Sequence, residues 1–81
     1  MMLTKPHYLE NEDWENFLIY FEDFVCMIVG NITYRQQLEL IYSALSSVFQ
    51  KESETDYYWS IIIEDDRLRK ELDEYINLLC L

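Results

Sequence analysis

The chain has 81 residues, 51% hydrophobic and 16% aromatic, and its sixteen Asp and Glu against six Lys and Arg give a net charge of −10. A chain this short has room for a single core, and so for one domain over residues 1–81. Its acidity disfavours nucleic acid and membrane surfaces as direct partners, since both require a basic face, and favours a basic protein drawn in by long-range steering.

In chain order, residues 1–10, MMLTKPHYLE, are expected to form an extended N-terminal arm, because Pro6 biases Lys5 away from helical backbone. Leu3, Tyr8 and Leu9 are the side chains able to pin it to a core. His7, the only histidine, reads as a solvated side chain. This segment has no apolar run of the kind a secretory leader carries, and a reducing cytoplasm is the expected setting.

The most apolar stretch, WENFLIYFEDFVCMIV over Trp14 to Val29, has helical spacing. Trp14, Leu18, Phe21, Val25 and Ile28 make one stripe, and Phe17, Tyr20, Phe24 and Met27 a second beside it. Two stripes predict a central helix buried on most of its circumference. Asn11 is its expected N-cap, with Glu12, Asp13 and Glu15 at the positive end of the dipole. Gly30, the only glycine, is its expected stop. Cys26, inside the stretch, is expected to act as a small buried hydrophobe. Cys80 lies too near the end to fit a prenylation box.

Thr33 and Gln36 fit a capping box opening a second helix that runs to about Gln50. Tyr34, Leu38, Ile41, Leu45, Val48 and Phe49 are its expected buried face, with Arg35 and Glu39 paired outside. The short connection at Gly30 predicts an αα-hairpin.

Lys51 to Asp56, KESETD, reads as a polar linker. The following run, YYWSIII, has strand-favouring residues, but a lone strand has no partner for its backbone hydrogen bonds. As helix, Tyr58, Ile61, Ile62, Asp65, Leu68, Leu72, Ile76 and Leu79 continue one face. A break is expected near Asp65–Asp66, with Asp66 capping a final helix whose surface offers the pairs Asp66–Lys70, Arg67–Glu71, Arg69–Asp73 and Lys70–Glu74. The expected fold is all-α: a compact bundle of three to four helices.

Little in the chain points to catalysis. Nucleophilic chemistry needs a base beside Ser or Cys, and one glycine cannot build a phosphate loop. No EF-hand loop, Glu-x-x-His or Cys/His set is present, so neither metal nor other cofactor is implied.

Charge distribution is the more informative pattern. Residues 10–23 and 52–66 hold twelve of the sixteen carboxylates and no Lys or Arg. Neighbouring carboxylates on a helix face recur about 5–6 Å apart, a spacing comparable to that of backbone phosphates. An acidic helix can therefore fill a groove whose Lys and Arg serve nucleic acid. The candidate partner-binding residues are Glu12, Glu15, Glu22 and Asp23 in one row, and Asp56, Glu64, Asp65 and Asp66 in another, with Tyr57, Tyr58 and Trp59 as anchors. Side by side, the two windows would form one acidic patch ringed by aromatic rings. The expected function is inhibition of a basic, nucleic-acid-handling protein such as a nuclease, as immunity proteins and phage anti-defence proteins of the anti-CRISPR type do. Asp56-Tyr57-Tyr58 resembles the Tyr-Tyr pair of the helical immunity proteins of colicin DNases over three of 81 residues, and the rest of that pattern is missing. The alternative is an obligate subunit or homodimer whose acidity serves solubility.

Overall fold

The computed structural model describes residues 3–79, which form a small helical bundle with no strand among them. Its helices are α1 (Asn11–Cys26), α2 (Tyr34–Val48), α3 (Glu52–Glu64) and α4 (Asp66–Leu79). The principal interfaces are α1 with α2, α2 with α3, α3 with α4, and α4 with α1. α1 and α3 share no principal interface, while α4 also meets the start of α2 where Arg69 lies over the Tyr34 ring. Cys80 lies outside the described residues. None of the described helices is long and apolar enough to cross a membrane.

Each helix buries one face and leaves another outside. In α1 the buried face is Trp14, Phe17, Phe21 and Val25, one stripe drawn from the two expected. Trp14, Phe17 and Phe21 stack in succession, with ring centroids 5.7 and 5.6 Å apart. Ile19, Tyr20, Cys26 and Met27 are exposed, so α1 is amphipathic rather than buried around its circumference, and Cys26 is no core residue. The rest of the core comes from Leu9, from Leu40, Ile41, Ala44 and Leu45 of α2, from Ile62 of α3, and from Leu68, Leu72 and Ile76 of α4.

The helix ends show how local chemistry sets the boundaries. Glu10, not Asn11, is the extended cap residue of α1: its carbonyl accepts from the Trp14 amide at 2.9 Å, and no side chain caps the end. At the other end the amides of Met27 and Ile28 reach back only three residues, to the carbonyls of Phe24 and Val25. This tightened turn closes α1 at Cys26, before Gly30. Gly30, at φ 96°, instead takes a left-handed step within the following loop.

The α2 capping box forms in full. The Thr33 hydroxyl accepts from the Gln36 amide at 3.1 Å, and the Gln36 side chain accepts from the Thr33 amide at 2.8 Å. The buried face of α2 is rotated from expectation: Gln37, Leu40 and Ala44 join Ile41 and Leu45, while Tyr34 is exposed and Leu38 half-buried. Gln37 and Ala44 are the reason the pattern misleads, because a polar and a small residue occupy places a hydropathy reading reserves for large apolar ones.

KESETD is mostly helix rather than linker. α3 starts at Glu52, where Glu52 and Glu54 favour the positive helix end. The amides of Glu54 and Thr55 both reach the Lys51 carbonyl at 3.1 Å. YYWSIII is helical, continuous with this first turn. The break is a single residue, Asp65, with ψ 91°. Its Oδ1 accepts from the Leu68 amide at 3.1 Å, so Asp65, and not Asp66, caps α4.

Residues 3–10 run outside the helices, with Pro6 and Leu9 buried. Lys5 closes this segment on itself by donating to the carbonyls of Pro6 and Leu9 at 3.1 and 2.7 Å. The Thr4 amide donates to Glu71 at 2.8 Å and the Tyr8 hydroxyl to Asp65 at 2.9 Å.

Candidate protein-binding surface

Two rows of carboxylates were candidates for one patch, and the bundle assigns them different tasks. The two windows sit mainly on α1 and α3, helices with no principal interface between them. They approach at the arm, where Glu10 is two residues from Tyr8 and Tyr8 reaches Asp65.

On α1 the helical wheel sets Glu12 and Asp23 opposite the buried stripe and Glu15 and Glu22 to one side of it, and all four are exposed. Ile19 and Tyr20 stand among them, 58% and 39% exposed, and Met27 continues the face at 77%. Glu12, Glu15 and Asp23 have no hydrogen-bonding side-chain partner among the described residues, and the face carries no Lys or Arg. Glu22 differs: it accepts from the Tyr75 hydroxyl at 3.0 Å, tying α1 to α4.

The second row is largely structural. Asp56 is exposed but accepts from the Tyr42 hydroxyl at 2.7 Å, joining α3 to α2. Asp65 is half-buried and serves both as α4 cap and as acceptor for Tyr8. Glu64 and Asp66 are exposed. Of the aromatic candidates Tyr57 is 60% exposed, whereas Tyr58 and Trp59 are half-buried. Tyr58 stacks on Phe49 at 4.7 Å, and Trp59 donates to the Leu38 carbonyl at 3.0 Å while meeting Tyr42 edge-on. Trp59 and Tyr42 line a shallow groove of about 490 Å³ between α2 and α3.

Tyr8, Tyr42 and Tyr75 thus act as crosslinks that end on carboxylates, a use of the hydroxyl suited to a chain poor in bases. Each has its ionisation displaced upward. Burial and then the Asp65 hydrogen bond raise Tyr8, and burial and then Glu22 raise Tyr75. For Tyr42 the hydrogen bond to Asp56 leads. Ionising any of these tyrosines would set a phenolate against a carboxylate.

Arg67–Glu71, at 2.7 Å, is the one ion pair among the described residues. The Thr4 amide and then Arg67 hold the Glu71 carboxyl below its usual range. Arg35–Glu39, Asp66–Lys70, Arg69–Asp73 and Lys70–Glu74 do not close, and Arg69 shows one cause: its guanidinium lies over the Tyr34 ring at 4.6 Å and donates to the Ile63 carbonyl at 3.3 Å.

Ile19, Tyr20 and Met27 were missed as surface anchors, although Ile19 follows Glu12 and Glu15 at the same three- and four-residue spacing that placed the row. No group of described His, Cys, Asp and Glu side chains is placed to hold a metal ion. No protein-family model, curated protein or solved structure matches the chain.

Proposed function

We propose that this chain is a non-catalytic binding protein that acts in the cytoplasm and needs no cofactor. On this reading it occupies the basic surface of a nucleic-acid-handling protein, in the manner of an immunity or phage anti-defence protein. The observation that carries it is the outer face of α1. Glu12, Glu15 and Asp23 are exposed and bonded to no side chain among the described residues, while Ile19, Tyr20 and Met27 stand exposed between or beyond them. Such a face combines charge for steering with apolar side chains for holding. The α3 row supports it less, because Asp56 and Asp65 already satisfy tyrosines and amides of the fold.

The test begins with a partner recovered from the native host and turns on competition. Nucleic acid should displace the chain from that partner. Replacing Glu12 and Glu15 by Gln and Asp23 by Asn should slow association roughly tenfold at low salt, with little change in dissociation. Simultaneous binding of chain and nucleic acid, at undiminished affinity, overturns the reading. The alternative, self-association through the apolar part of this face, predicts a dimer by analytical ultracentrifugation that persists in about 1 M salt, where charge-led association is screened.

A further inference from the structure

Cys26, the last residue of α1, carries a free and exposed thiol. It lines an open cavity of about 370 Å³ between the ends of α1 and α4, together with Val25, Ile28, Gly30, Asn31 and Leu79. Leu79 is the last residue of α4, and Cys80 follows it directly in the chain. A side-chain carbon added at Gly30 would meet nothing within 4 Å, so this wall leaves room for more chain.

The register of α1 against α4 sets how far apart the two cysteines lie along the bundle. The arm runs against α4, with Thr4 on Glu71 and Tyr8 on Asp65, so α1 begins near the start of α4. From there the two helices run the same way. Glu22 accepts from the Tyr75 hydroxyl at 3.0 Å, and four residues on in each helix Cys26 and Leu79 share the cavity. Cys26 is also near enough to Tyr75 to add, after burial and Glu22, to the rise in its ionisation. Cys80 is thus one residue past the level of Cys26. Packed helices have axes about 8–10 Å apart and Cα atoms about 2.3 Å off axis. Cα atoms on adjoining sides therefore come within the about 4.4–6.8 Å that a disulfide spans.

We propose that Cys26 and Cys80 are a redox pair: two thiols in a reducing setting that close to a disulfide by exchange with a low-molecular-weight disulfide such as oxidised glutathione. Cys26, as thiolate, attacks oxidised glutathione, forms a mixed disulfide and releases one glutathione. Cys80 then attacks the Cys26 sulfur and releases the second. Two electrons pass from the protein thiols to the glutathione disulfide, and the two thiol protons end on the two glutathiones. The bond joins the end of α1 to α4 about one turn beyond the Glu22–Tyr75 link. The pair is independent of the function proposed for the outer face of α1, and its test needs no partner.

The full chain is equilibrated with mixtures of reduced and oxidised glutathione, once folded and once in urea, then trapped with N-ethylmaleimide and weighed. The folded chain should lose two hydrogen atoms, remain a monomer, and yield on digestion a Cys26 peptide joined to a Cys80 peptide. Its equilibrium constant for closure should exceed that in urea by at least about tenfold, because the fold already holds the thiols near one another. Cys26→Ser, an exposed change, should leave Cys80 halted at a mixed disulfide with one glutathione. Two glutathiones retained on the wild-type chain, a disulfide-linked dimer as the main product, or a smaller ratio between the two closure constants would each overturn the assignment.

Discussion

The outer face of α1 and the α3–α4 junction are both acidic, yet their carboxylates live under different constraints. At the junction Asp65 holds the Leu68 amide and the Tyr8 hydroxyl at once, fixing the angle between two helices and the position of the arm. In the α1 row, Glu12, Glu15 and Asp23 hold no side chain among the described residues, and Glu22 is engaged by Tyr75. The same residue type is therefore structure in one region and free surface in the other. A run of Asp and Glu in sequence does not distinguish them; what does is whether a donor arrives from elsewhere in the fold.

The largest effect tests what both regions depend on. Phe21 is fully buried in the aromatic stack of α1. Phe21→Ala should cost about 3–5 kcal/mol, through lost burial and an unfilled cavity. Chemical denaturation reads this directly. A loss below about 1 kcal/mol would mean that the inner face of α1 is not the core, and the contrast between its faces would fall with it.

Next is the junction itself. Asp65→Ala removes a cap, worth about 0.5–2 kcal/mol, and the acceptor of a half-buried tyrosine, worth about 0.5–1.5 kcal/mol more. The expected total is on the order of 2 kcal/mol. Asp66→Ala, one residue along, should cost clearly less, because no side-chain bond of Asp66 supports the cap. Equal losses at the two positions, measured by thermal melting, would break the distinction between them.

That one-residue offset also shows what could be read in advance. The Thr33–Gln36 box was legible because both of its bonds are local to four residues. The break near Asp65 was legible too, since Asp65 interrupts an otherwise apolar face. Which aspartate turns inward was not, because the choice depends on the extended backbone at Asp65 and on Tyr8, 57 residues away in sequence. Gly30 misled for a related reason: it marks a left-handed step, but α1 has already closed three residues before it, at Met27. On the candidate surface the α1 row was legible from periodicity alone. The engagement of Asp56, Asp65 and Glu22 was not, because each answers to a tyrosine on another element.

A third effect is on pH. The ionisation of Tyr8 and Tyr75 is raised in the folded chain above the ordinary value of 10.0. A raised value means that the unfolded chain loses the proton first, so the stabilisation is complete below about pH 10 and is lost as pH climbs toward the folded value. Alkaline destabilisation should therefore begin near pH 10 and be shallower in Tyr8→Phe. The same substitution should cost about 1 kcal/mol at neutral pH, for the lost hydrogen bond to Asp65. Identical alkaline profiles for wild type and Tyr8→Phe would show that Tyr8 does not couple the arm to the junction.

The smallest expected effect gives the sharpest contrast. Replacing Glu12 and Glu15 by Gln and Asp23 by Asn removes three of the sixteen carboxylates. If these groups are surface and nothing else, folding stability should change by less than about 0.5 kcal/mol, the usual range for exposed substitutions. Two opposed terms lie within that small number. Glu12 is in the first turn of α1, where its charge favours the positive helix end by about 0.3–1 kcal/mol. Glu12 and Glu15 stand three apart on one face, in a chain of net charge −10, so their removal also relieves repulsion by a few tenths of a kcal/mol. Raising the salt concentration screens both, and the difference between variant and wild type should shrink further. A loss above about 1 kcal/mol in this triple variant, larger than the exposed setting allows, would place these carboxylates in the same structural class as Asp65. It would also remove the free row on which partner binding through α1 depends.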